Sequence, residues 1–157
     1  MAGAVAWIGL ASANGSESRC ASGQARHALD SFVRAFNSGA TEKLDSTFAE
    51  VPEFIGFGSA PPGRFGSVFL GPRAKAELRE DLVPYLDRRH RHGDRMAVTD
   101  FEFSGNWDGR GNMAFSLKRR SPGFRSGSWF EVIGKGALIC SGLNPVFAQM
   151  QIGAPEN

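Results

Sequence analysis

Four carboxylates sit in strand-like stretches where a general base could be held. Asp100 and Glu102 are two residues apart, so on a strand they share one face. Glu131 lies in a later strand pattern, and Glu53 opens an early one. A carboxylate held in an apolar pocket is well suited to moving a proton. Met96 and Val98 precede Asp100 by even steps, whereas Phe101 and Phe103 fall on the other parity. If the Phe face packs inward, Asp100 and Glu102 face solvent. Glu131 shares a face with Lys135 and is expected to pair with it or with neighbouring strands. Glu131, Asp100 and Glu53 are the catalytic candidates, and none stands in a recognisable motif.

Cations invite the next question. Arg88, Arg89, His90, Arg91, His92 and Arg95 put six basic side chains into eight residues. They fall at the end of a helical pattern, where positive charge complements the helix dipole and is well solvated. An anion-binding patch is the competing reading. A metal site at His90 and His92 is not expected, because only Asp94 stands near to complete a ligand set. Gly134-Lys135-Gly136 lacks the spacing of a phosphate loop and lies within a strand pattern. Its two glycines are expected to mark a bend or bulge in a curved sheet. No cofactor and no metal are expected.

The elements that must position these residues follow from periodicity. Leu29, Phe32, Val33 and Phe36 recur at helical spacing, and Asn37-Ser38-Gly39 ends that helix. Thr41 is expected to cap a short second helix whose buried face is Leu44 and Phe48. A first strand fits Glu53 to Phe57, followed by a Gly- and Pro-rich loop through Ser59 to Gly63. A third helix starts near Pro72, runs from Arg73 to about His90, and carries the stripe Ala74, Leu78, Leu82, Tyr85 and Leu86. Pro84 should kink or break it near Leu82-Val83, and Gly93 closes it. Strands are expected at Arg95 to Ser104, Asn112 to Arg119, Ser128 to Cys140 and Pro145 to Ile152. Met113, Phe115 and Leu117 alternate most clearly. Asn106 to Gly111 and Ser141 to Asn144 read as turns, and Ser121 to Ser128 as a longer loop.

This order resembles the nuclear transport factor 2-like superfamily, which includes SnoaL-like cyclases and ketosteroid isomerases. The resemblance spans about Gln24 to Met150. It rests on FVRAFNSGATEKLDSTFAE, on the GNMAFSL strand, and on GKGALICSG followed by VFAQM. It implies an α+β, cone-shaped fold in which a strongly bent mixed or antiparallel sheet wraps round N-terminal helices and leaves a pocket. Phe32, Phe36, Phe57, Phe115, Phe130 and Leu138 would line that pocket or the core. The resemblance also implies where isomerase groups would stand. Phe32 occupies the Tyr position, Gly56 falls near the base position and Gly136 near the oxyanion Asp position, so that catalytic set is absent.

Composition bounds the rest. The 157 residues are 41% hydrophobic and 22% charged, as expected of one globular domain. A net charge of +2 is too small to imply nucleic acid, and none is expected. Thirteen Phe against one Tyr indicate a dry, aromatic interior. Ala2 to Ala13 is an apolar run too short to cross a bilayer, which takes about 20 residues. It reads as a signal h-region with Ala11-Ser12-Ala13 as a cleavage form, or as a plain apolar tail. Cys20 and Cys140 form one bridge in an exported protein, or else Cys140 is buried and inert and Cys20 exposed.

The resulting expectation divides the chain into an N-terminal segment 1–21, a single domain 22–152 and a tail 153–157. The protein is expected to be exported, periplasmic or secreted, or otherwise cytoplasmic, and to bind a small apolar molecule without an identifiable catalytic set. The alternatives are an isomerase, hydrolase or cyclase using Glu131 or Asp100, and a homodimeric module joined through the sheet. No membrane partner is expected.

Overall fold

The computed structural model describes residues 19–59, 75–122, 125–141 and 143–153. The apolar run Ala2 to Ala13, the loop residues 60–63 and the start of the third helix at Pro72 to Ala74 lie outside the described residues.

Helix α1 (Ser22–Ser38) buries Ala25, Ala28, Leu29, Phe32, Val33, Ala35 and Phe36 on one face. Gly39 ends it at φ 67°, and the N–H groups of Gly39 and Ala40 return to the carbonyls of Phe36 and Ala35. This paired closure is the Schellman arrangement, which a glycine adopts without steric penalty. Helix α2 (Thr41–Asp45) follows. Ala40, not Thr41, is its N-cap residue, and no side chain caps it. Leu44 packs inward, while Ser46 and Thr47 donate their hydroxyls back to Lys43 and Leu44 carbonyls.

Strand β1 (Gly56–Ser59) begins later than the Phe-rich pattern implied, because residues 51–53 form a turn and Phe54 bonds back to Glu50. Helix α3 (Lys75–Arg91) runs through Pro84 without a break. Pro84 is exposed, and Leu82 and Leu86 on the buried face hold the helix on both sides of it. The sheet continues with β2 (Arg95–Trp107), β3 (Arg110–Arg120), β4 (Trp129–Ile139) and β5 (Val146–Gly153). Its order is β1-β5-β4-β3-β2, with β1 parallel to β5 and the other pairs antiparallel. The sheet is mixed and does not close on itself, so β1 and β2 are its edges. Asp108 and Gly109, both at positive φ, make the two-residue turn between β2 and β3.

A local irregularity helps the sheet curl round the helices. A bulge in β2 between Val98 and Asp100 places Met96 and Val98 on the same face as Phe101 and Phe103. Simple alternation put these two pairs on opposite faces. The structure corrects this: the extra residue Thr99 lets apolar side chains spaced two, three and two apart all reach the concave side. The glycines of β4 work differently from the expected bend. The Phe115 ring lies over Gly134 and the Phe147 ring over Gly136, so a Cβ at Gly134 would collide with an aromatic ring and one at Gly136 would press tightly on one. The register shift of this strand lies beside them, at Ala137 and Leu138.

Phenyl rings fill the centre. Phe48 meets Phe32, Phe54, Phe57 and Phe147 at centroid distances of 5.7, 6.3, 6.1 and 5.9 Å. Aromatic pairs in this range add about 0.5–1.5 kcal/mol beyond burial.

Both ends of α1 are pinned to β2 by an asparagine amide. Asn37 exchanges two hydrogen bonds with the backbone of Met96, at 2.7 and 2.9 Å. Asn106 does the same with Cys20, at 2.8 and 3.1 Å. Cys20 is also disulfide-bonded to Cys140 across 120 residues, with Cα atoms 5.3 Å apart and both residues buried. Gly111 is needed there, since a Cβ would lie 2.5 Å from the Cys20 sulfur.

Candidate functional site

The buried polar chemistry of the concave face converges where α3 ends and β3 finishes. Gly93 closes α3 at φ 88°, and the N–H of Asp94 bonds to the carbonyl of Arg89. This Schellman closure turns Asp94 inward, where it is fully buried. Arg119 reaches the same place from β3. It is the next residue on the face of Met113, Phe115 and Leu117, and it is 1% exposed.

One carboxylate oxygen carries the whole contact. Asp94 Oδ2 accepts Arg119 Nη2 at 2.8 Å and Arg89 Nε at 2.9 Å, with Arg89 Nη2 at 2.7 Å. Arg119 Nη1 donates to Ser59 Oγ at 3.0 Å, and Arg89 Nη2 donates to Ser121 Oγ at 3.0 Å. Ser59 lies on edge strand β1, three places from β3 in the sheet, so the bond spans the concavity. Asp94 Oδ1 and Arg119 Nε are buried without a hydrogen-bond partner; Arg110 Nε, at the hairpin, is the third such atom among the described residues. A buried polar atom without a partner costs about 1–3 kcal/mol. Two guanidiniums against one carboxylate also leave a positive excess. The cluster thus holds an unused acceptor, an unused donor and uncompensated positive charge.

No protein-family model and no curated protein sequence matches the chain. Solved structures do. A proposed dehydratase of the nuclear transport factor 2-like family from Streptomyces avermitilis superposes with TM-score 0.65 at 12% identity, over 87% of this chain and 96% of that one. The β subunit of benzoate 1,2-dioxygenase from Burkholderia mallei gives 0.60 at 12% identity, over 82% and 87%. A Nostoc punctiforme domain of unknown function with a cystatin-like fold gives 0.59 at 12% identity, over 86% and 77%. The chain has the nuclear transport factor 2-like fold. Identities this low establish architecture and leave chemistry to the residues present.

In this nuclear transport factor 2-like cone, the carboxylates singled out from the sequence do not meet. Glu53, Asp100 and Glu131 are all exposed and lie on different elements. Among the described residues Asp100 accepts only the N–H of Phe101, and Glu131 stands opposite Lys118 on β3. The six apolar candidates do come together. Phe32, Phe36, Phe57, Phe115, Phe130 and Leu138 are all buried in one continuous core. The basic stretch divides. Arg89 turns into the cluster, Arg91 pairs with Asp87 at 2.7 Å on the surface, and His90 packs edge-on against Phe36 and over Gly39. No group of three or more metal-ligating side chains occurs among the described residues.

Sequence reasoning missed Arg119 as a site residue, although a signal existed. A cation continuing the Met113, Phe115, Leu117 face is a charge written into a core pattern. Asp94 carried the companion signal, an acid directly after a helix-closing glycine.

Proposed function

We propose that this domain binds a small, mostly apolar molecule with one hydroxyl or carboxyl end, and that it acts outside the cytoplasm. The observation that carries this reading is the unsatisfied pair on the concave face, Asp94 Oδ1 and Arg119 Nε. A hydroxyl would donate to the first and accept from the second, and a carboxyl would balance the extra guanidinium. The aromatic core supplies apolar wall beside it, a common make-up for ligand sites. The disulfide supports export, since such bridges persist in oxidising compartments.

A binder is favoured over an enzyme because Glu53, Asp100 and Glu131 are exposed and scattered, and the buried Asp94 is held by two guanidiniums, which make a carboxylate a poorer base. A sheet-mediated homodimer is the second reading. It rests on Trp129 and Ile133, each 49% exposed on the outer face of β4, although Glu131 and Lys135 interrupt them.

Thermal unfolding of the disulfide-intact chain against lipids, terpenoids and aromatic acids tests the ligand reading. A ligand at 100 times its Kd should add about 2.7 kcal/mol and raise the midpoint. The rise should vanish in Arg119→Met. No rise with any of these classes would contradict the reading.

A further inference from the structure

The polar side of α1 faces a second concavity, outside the sheet. With α2 and the loop at Asn144 and Pro145 it forms an open groove of about 820 Å³, within the usual range for a small-molecule site. Three cationic or basic side chains line it: His27, Arg34 and Lys43. No carboxylate occurs among its described lining residues. Arg34 bonds only the hydroxyl of Ser31, at 3.0 Å, and Lys43 has no ion pair among the described residues.

Three of the four hydroxyls beside these cations share one polarity, the fourth, Ser31, accepting from Arg34. Ser38 Oγ donates to the Ala35 carbonyl at 3.2 Å, Ser46 Oγ to Lys43 at 2.9 Å and Thr47 Oγ1 to Leu44 at 2.6 Å. Each proton is committed to a backbone oxygen, so each hydroxyl faces a ligand as an acceptor. The groove therefore offers cationic donors and neutral acceptors together. A complementary ligand carries negative charge and also donates several hydroxyls. Polyphosphate meets the cations but sets its own acceptors against the hydroxyl row. Nucleic acid would want stacking aromatics, and the described lining contains no Phe, Tyr or Trp.

We propose that this groove is a binding site for an acidic saccharide, a hydroxyl-rich chain bearing carboxylates. It goes beyond the reading of the Asp94–Arg119 cluster and is independent of it. Arg34 and Lys43 meet the carboxylates, and Ser46 and Thr47 accept sugar hydroxyls.

The test is an amide NMR titration of the full chain with hexagalacturonate, with maltohexaose and polyphosphate as comparisons. Hexagalacturonate should shift resonances of α2 and the C-terminal half of α1, and the shift should weaken as salt rises. Maltohexaose should give none, and polyphosphate should bind at least tenfold more weakly. Arg34→Ala with Lys43→Ala should weaken hexagalacturonate at least tenfold without lowering the unfolding midpoint, since both side chains are exposed. Thr47→Val should weaken hexagalacturonate several-fold and leave polyphosphate unchanged. Arg119→Met should leave hexagalacturonate binding intact, which separates this site from the interior one. Polyphosphate binding as tightly as hexagalacturonate, or shifts scattered over the surface, would overturn the proposal.

Discussion

Two arginines are buried in this fold to nearly the same extent, and they are treated in opposite ways. Arg79 on α3 is 5% exposed and Arg119 on β3 is 1% exposed. Every guanidinium nitrogen of Arg79 is used. Nε bonds the Ala49 carbonyl at 2.9 Å, Nη1 bonds Asp45 Oδ1 at 2.7 Å, and Nη2 reaches the Asp45 carbonyl at 3.0 Å and Glu50 at 3.3 Å. Its plane also lies near the Phe54 ring, 5.8 Å from the centroid. Arg79 thereby sews α3 to the turn after α2. Arg119 has two satisfied nitrogens and one idle, beside a carboxylate with one idle oxygen. A residue retained for stability resembles the first; a residue poised for an incoming group resembles the second.

The largest expected effect sets the scale for both. Reducing the Cys20–Cys140 bridge should lower unfolding free energy by about 4–5 kcal/mol, because it frees a loop of 120 residues. Denaturant melts with and without reductant measure it. Next, Asp94→Ala leaves Arg89 and Arg119 facing each other without a counter-charge. Removing one partner of a buried ion pair costs about 3–5 kcal/mol, and chemical denaturation should place this variant in that range. Arg79→Met should cost about 2–3 kcal/mol, since it strands backbone carbonyls of the α2 turn. Hydrogen exchange should then show that turn opening more readily than the rest of the domain. Ser59→Ala is the mildest, at about 1 kcal/mol or less, and it should leave the Arg119–Asp94 contact in place by chemical-shift comparison.

Much of the architecture was legible because single elements declare themselves. The α1 stripe, Gly39 and Gly93 as helix stops, and the alternation of β3 each follow from local periodicity and backbone sterics. The errors came where tertiary demands override period. In β2, the bulge at Thr99 is invisible to strict alternation, because the reason for it is the shared concavity that Phe101 and Val98 must both reach. At Pro84 the local rule predicted a kink or a break; the helix is continuous, and burial of Leu82 and Leu86 holds it on both sides. The site was less legible than the fold. Asp94 and Arg119 are 25 residues apart, on different elements, and only the curl of the sheet joins them. Arg79 was hidden for another reason: three of its partners are backbone carbonyls, which no residue type announces.

The contrast between the two arginines is tested most directly by unfolding Arg79→Met and Arg119→Met side by side. Replacing Arg119 leaves Asp94 still paired with Arg89, so the cluster becomes charge-balanced and loses one unpartnered donor. Its unfolding free energy should fall within about 1 kcal/mol of the parent, while Arg79→Met falls by about 2–3 kcal/mol. A loss for Arg119→Met equal to or larger than that for Arg79→Met would make Arg119 a second structural staple and contradict the proposal that it is held ready for a ligand.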